Sequence, residues 1–223
     1  MDGKLFGGAV SKFALGFVLV GALIFLPAGT LRFPDGWLLM GILFLPMFCA
    51  GLVMLFRSPE LLRKRLGVRE EQGEQRKVIA WSGLMFIAAF VTAGLNYRFG
   101  WIVMPRWTVW AAAAVFLAAY ALYAEVLREN AYLSRTVEVQ EGQHVVDTGL
   151  YGVVRHPMYA VTLALFLSMP LVLGSPISLA IMLCYVPLIV RRIRNEEQVL
   201  EKGLEGYAAY MERVRYRLIP GLW

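Results

Sequence analysis

Six apolar stretches, each closed by a polar or turn-forming segment, give this 223-residue chain its pattern. They run at about Phe13–Pro27, Trp37–Phe56, Val78–Leu95, Trp107–Ala124, Met158–Leu173 and Ile177–Val190. A helix rises about 1.5 Å per residue, so about 20 residues cross a hydrocarbon core about 30 Å thick. The second, third and fourth stretches meet that length. The first follows Lys4 and Lys12 as a signal peptide would, but it ends in Pro27-Ala28-Gly29, a helix end and turn rather than a cleavage site. It therefore reads as a retained span. The last two are short and are parted by Gly174-Ser175-Pro176. They form a spanning hairpin or a re-entrant pair, and in either case start and end on one side. The pattern predicts an all-α polytopic membrane helix bundle of five to six spans, with a C-terminal helical hairpin and a cytosolic C-terminal helix. With no repeat and no linker, the chain reads as one integral membrane domain, residues 1–223, whose first four spans fill residues 1–130.

Composition agrees: 59% of residues are apolar, 17% are charged, and the mean hydropathy is +0.60. Soluble domains carry about a quarter charged residues. The net charge of +6 would suit nucleic acid, but its placement argues for topology instead. Arg57–Lys77 holds seven cations and the segment after Val190 seven more, whereas the loops near Arg32 and at Arg98–Arg106 hold three. With six crossings, nineteen of the 22 Lys and Arg fall on one side, which the positive-inside rule makes cytoplasmic. That side holds both termini. The basic charge then serves orientation and contact with lipid headgroups, and no nucleic acid is expected. Within Arg57–Lys77, Ser58-Pro59-Glu60 opens a short amphipathic helix on the inner surface. Cys49 and Cys184 lie inside apolar runs and read as small buried side chains. With only two His, no metal-ligand spacing arises. The spans contain almost no ionisable residue, which disfavours a coupled transporter.

The chemistry-bearing residues flank the last hairpin. Gly149-Leu150-Tyr151-Gly152-Val153-Val154-Arg155-His156-Pro157-Met158-Tyr159 runs into the fifth stretch, and Arg191-Arg192-Ile193-Arg194-Asn195-Glu196-Glu197 leaves the sixth. Pro157 keeps His156 out of the helical region, so His156 stands on extended backbone at a helix mouth whose free N–H groups favour an anion. The plain alternative is a pair of interfacial charges beside a span. Arg192 and Glu196, four apart, share a helix face that leaves Arg194 and Glu197 pointing elsewhere. Tyr207, Tyr210 and Val214 mark one face of an amphipathic helix able to cover the hairpin mouth, although packing explains that spacing equally well. No Gly-x-Gly-x-x-Gly, P-loop or nucleophile elbow occurs.

Together, Gly149-x-Tyr151, Arg155-His156-Pro157-x-Tyr159, an apolar hairpin, then Arg192, Glu196-Glu197, Tyr207 and Tyr210 resemble the isoprenylcysteine carboxyl methyltransferase family, relatives of the membrane phospholipid N-methyltransferases. The resemblance covers Gln140 to the C-terminus, and Pro59-Glu60-Leu61-Leu62 is similar to a loop of prokaryotic members. It implies a helix bundle whose C-terminal part, residues 131–223, binds S-adenosylmethionine at the cytosolic face. By that resemblance Gln140, His144, Val145 and Val146 lie along the cofactor before Tyr151. His156, Pro157 and Tyr159 line its pocket, Glu196 contacts it, and Arg192 is the catalytic, substrate-facing arginine. The segment between His144 and Tyr151 is one residue shorter than in eukaryotic members. The implied acceptor is a lipid-like or hydrophobic molecule, a carboxylate, amine or thiol, reached from the membrane without an obligate protein partner. The same C-terminal pattern also resembles NADPH-dependent sterol-type reductases. A non-catalytic membrane protein is the third reading.

Overall fold

A computed structural model describes residues 3–57, 59–60, 62–63, 73–130, 132–133 and 139–223. Most of the expected surface helix after Ser58 lies outside the described residues. The elements are α1 (Gly3–Ala28), α2 (Pro34–Arg57), α3 (Gly73–Phe99), α4 (Arg106–Glu129), a 3-10 turn at Gly149–Gly152, α5 (Pro157–Val172), α6 (Pro176–Leu183), α7 (Tyr185–Gly203) and α8 (Tyr207–Arg213). Among the described residues the architecture is all-helical, a polytopic bundle.

Among the described residues, five segments are long and apolar enough to cross a membrane: Leu5–Ala28, Pro34–Arg57, Ile79–Phe99, Arg106–Glu129 and Pro176–Gly203. The last joins α6 and α7 across Cys184, so the sixth stretch does not stop at Val190. Beyond Val190 the helix goes on because it turns amphipathic, burying Ile189, Ile193 and Glu197 on one face. Helix α5, at 16 residues, is shorter. Its far end still reaches the level of the other loops, since Asn96 at the end of α3 donates from Nδ2 to both Ile102 O (3.0 Å) and Gly174 O (3.3 Å). The hairpin turn therefore lies at the level of the α3–α4 loop. That turn is made locally. Gly174 takes φ +66°, the Ser175 hydroxyl caps the Ser178 amide, and Pro176 starts α6.

Helix α4 packs on α5, α1 on α3, and α3 on α6. Small residues permit close approach: Ala112, Ala113 and Ala119 are buried around Phe116, and a Cβ on Gly94 would meet Ile24 O at 2.5 Å. The outer surface is apolar, with Leu15, Leu26, Leu45 and Trp107 exposed. Lipid replaces a buried core as the apolar solvent there. Cys49 and Cys184 belong to that outer surface, and both are exposed rather than buried. Their apolar surroundings in sequence signal hydrocarbon, not interior.

Candidate active site

The entry to α5 is fixed by backbone first. His156 sits at φ −127° and ψ 60° before Pro157, outside the helical region. The amides of Tyr159 and Ala160 donate to His156 O, so these two are not free for an anion as the helix-mouth reading supposed. The amides of Arg155 and His156 donate to Tyr216 O and Arg217 O, each at 2.9 Å, which lays the chain after α8 alongside the α5 mouth. That chain turns back at once: Arg217, Leu218 and Ile219 amides all donate to Trp223 O, and the Arg217 guanidinium sits 5.3 Å from the Trp223 ring centre.

A buried ionic cluster lies beneath this junction. Arg155, His156 and Glu197 are 7%, 5% and 5% exposed, so each needs partners within the protein. Glu197 Oε1 accepts from Arg155 Nε at 2.8 Å and faces His156 Nε2 at 3.3 Å, while its Oε2 accepts from Arg217 Nε at 2.8 Å. Arg155 Nη1 donates to Val214 O and Arg215 O. Three segments remote in sequence are thereby locked together. The neighbouring Glu196 faces differently. Its Oε2 accepts from the Tyr159 hydroxyl, which in turn accepts from Arg192 Nε at 2.8 Å. Glu196 Oε1 lies 3.8 Å from His156 Nδ1, so the imidazole stands between two carboxylates.

Above the cluster opens a cleft with about 90 Å³ of enclosed space, open on one side to its surroundings. Of the residues singled out in the sequence, His144, Val145, Val146, Tyr151, His156, Tyr159 and Glu196 line it. Gln140, Pro157 and Arg192 do not. Gln140 donates to Tyr132 O at 2.6 Å and its amide donates to the side chain of Gln143, itself a lining residue. Pro157 is buried as the first residue of α5. Arg192 reaches the site through Tyr159, with its guanidinium 5.9 Å from that ring centre. The rest of the wall comes from Asn130, Tyr132 and Leu133, from Arg155 and Met158, from Leu200 and Leu204 at the end of α7, and from Tyr207 and Tyr210 on α8.

Three tyrosines set the polarity of one side. Tyr210 donates to Tyr151 O at 2.8 Å, whereas the Tyr151 and Tyr207 hydroxyls are buried without a hydrogen-bond partner. The Tyr151 hydroxyl is near enough to Asn130 to feel its side chain, but outside hydrogen-bond geometry. Burial pushes all three phenols above their ordinary range, and the Glu197 and Glu196 charges add to this at Tyr207. They are neutral donors at physiological pH, not bases.

The Arg155–Glu197–Arg217 cluster is absent from the sequence expectations, which leave Arg155 either in a helix-mouth motif or as an interfacial charge and point Glu197 away from the Arg192–Glu196 face. The signal was present in the spacing: Ile189, Ile193 and Glu197 repeat at four residues along the buried face of α7. The Tyr207, Tyr210 and Val214 face is buried as its spacing suggested, and it packs with Leu204.

Known proteins enter at this point. Residues 110–202, from the first turn of α4 to the end of α7, match the family model of the Isoprenylcysteine carboxyl methyltransferase (ICMT) family. The chain is also similar to Delta(14)-sterol reductase TM7SF2 of Mus musculus, 34% identical over 88 residues, 38% of this chain and 21% of that protein. It is 24% identical over 135 residues to a Delta(14)-sterol reductase of Methylotuvimicrobium alcaliphilum, 54% of this chain and 32% of that protein. The chain thus spans a fifth to a third of the length of these curated relatives.

Proposed function

We propose that this chain, assigned to the isoprenylcysteine carboxyl methyltransferase family by residues 110–202, is an integral membrane methyltransferase that uses S-adenosylmethionine on a lipid-like substrate. The observation that carries this is the convergence of Tyr151, His156, Tyr159 and Glu196 on one cavity beside the α5 mouth. The cavity offers a carboxylate, aromatic faces and two phenolic hydroxyls that lack protein partners. When bound, S-adenosylmethionine supplies a methyl group activated by sulfonium charge.

The chain's own residues hold and orient. Glu196 presents an anion to a cationic or hydroxyl-rich ligand, and Tyr159 fixes that carboxylate while itself being held by Arg192. The faces of Tyr151 and Tyr159 support positive charge where water is excluded. His144, Val145 and Val146 line the wall from the segment before the 3-10 turn, and Gln140 steadies it through Gln143. Pro157 sets the backbone that presents His156. Arg192 faces the acceptor side and draws an anionic acceptor towards the site. A carboxylate acceptor fits best, because it needs no base and the phenols are protonated donors. A positioned donor and acceptor supply much of the rate of an in-line displacement.

The names of the two reductase relatives favour a second reading, an NADPH-dependent reductase. Charge weighs against it. NADPH brings several phosphate charges to a cavity that contains Glu196 and whose Arg155 spends Nε and Nη1 on Glu197 and two carbonyls. Titration of the purified protein separates them. A ligand at a hundred times its Kd stabilises by about 2.7 kcal/mol, a clear rise in thermal midpoint. S-adenosylmethionine is expected to give that rise and NADPH none; the reverse pattern would replace the methyltransferase with the reductase.

A further inference from the structure

The geometry points to Tyr207 as a residue that reads the bound ligand, donating its phenolic hydrogen to an acceptor atom on the polar part of S-adenosylmethionine. This rests on the methyltransferase reading and gives a role to a residue for which the resemblance implied none. Tyr207 follows Gly206, whose φ of +81° makes the turn that starts α8 and brings the ring back to the cavity. The side chain is 4% exposed, lines the cavity, and has a hydroxyl without a partner. A buried donor left unpaired costs stability, so it is kept where something else repays it. Tyr210 is the internal contrast. It lies on the same helix with its ring centre 5.6 Å from that of Tyr207, lines the same cavity, and spends its hydroxyl on Tyr151 O. One tyrosine therefore braces the wall, and the other lines the same cavity with a buried hydroxyl that has no partner. Arg155, also in the wall, spends Nε and Nη1 on Glu197 and two carbonyls, whereas the Tyr207 hydroxyl is spent on nothing in the protein.

The experiment compares the full chain in detergent with Tyr207→Phe and Tyr210→Phe, measuring S-adenosylmethionine affinity by calorimetry and the thermal midpoint without ligand. Tyr207→Phe is expected to weaken affinity about tenfold, as loss of one hydrogen bond does. Its ligand-free midpoint should hold or rise, because an unpaired buried hydroxyl has been removed. Tyr210→Phe should lower the ligand-free midpoint by depriving Tyr151 O of its donor. If Tyr207→Phe binds within twofold of the parent, or loses midpoint as Tyr210→Phe does, Tyr207 is a wall residue and the inference is wrong. A parent that fails to bind S-adenosylmethionine overturns the cofactor reading and this inference together. A parent that binds while Tyr207→Phe matches it overturns the inference alone.

Discussion

Consecutive residues on a helix point about 100° apart, so Glu196 and Glu197 leave α7 towards different surroundings. Glu197 is 5% exposed and answers Arg155, which is equally buried and has no water to fall back on, as well as the partly exposed Arg217. Taking its charge away leaves two cations facing a neutral amide. Breaking a buried pair in this way costs about 3–5 kcal/mol. Glu196, with its side chain 26% exposed, holds Tyr159 through an oxygen that an amide can replace. Glu197→Gln is therefore expected to lower unfolding free energy by about 3 kcal/mol or more, while Glu196→Gln stays within about 1 kcal/mol of the parent. Ligand affinity should rank differently, with Glu196→Gln weakening S-adenosylmethionine binding in a protein that is still folded. Unfolding titrations paired with binding isotherms check both halves. Equal destabilisation by the two variants would refute the division between a structural carboxylate and a ligand-facing one.

At the scale of the elements, the contact between α1 and α3 depends on Gly94. A Cβ there would stand 2.5 Å from Ile24 O and 3.0 Å from the Ala28 amide nitrogen, both backbone atoms that cannot swing aside. Gly94→Val must part the helices, and overpacking of this kind costs about 1–3 kcal/mol. Gly83 lies on the same helix with nothing within 4 Å of an added Cβ, so Gly83→Ala should leave the thermal midpoint unchanged or raise it. A loss in the second variant as large as in the first would mean that helix propensity, not the approach of α1, sets the effect. Features governed by local chemistry were legible in the sequence: the α1 end at Ala28 with Gly29 at φ +69°, and the Ser175 cap with Pro176 behind it. So was the convergence of the hairpin's two flanks, because a hairpin has to return. The extent of α7 past Val190 was not, since its last turns are amphipathic and drop out of an apolar count. Nor was the docking of Tyr216–Trp223, which pairs by backbone amides that carry no side-chain pattern. Cys49 and Cys184 misled because hydropathy alone does not tell a lipid-facing position from a core one.

The whole molecule has two chemically distinct ends. At one, Arg106 pairs with Asp35, Tyr97 donates to Arg32 O, and Asn96 joins the α3–α4 loop to the Gly174 turn. Trp37, Trp101, Trp107 and Trp110 are exposed near that end, where amphipathic rings settle at a membrane interface. It carries three cations, Arg32, Arg98 and Arg106. The cavity and the Glu197 cluster occupy the opposite end, together with Arg57, Arg128, Arg155 and the cations that follow Val190. The proposed orientation, from the bias in Lys and Arg under the positive-inside rule, sets the cavity on the cytoplasmic face, where the proposed water-soluble cofactor would be available while a lipid-like acceptor arrived through the bilayer. Gly142 beside the cavity and Val103 in the α3–α4 loop are both exposed and report the two ends. In a background with Cys49 and Cys184 replaced by Ser, a membrane-impermeant thiol reagent applied to intact cells should label Val103→Cys and spare Gly142→Cys until the membrane is opened. Labelling of Gly142→Cys in sealed cells would turn the protein over. The fold and the cavity would stand, but the methyl donor would then have to be supplied from the outer side, and the cytoplasmic assignment of the reaction would be lost.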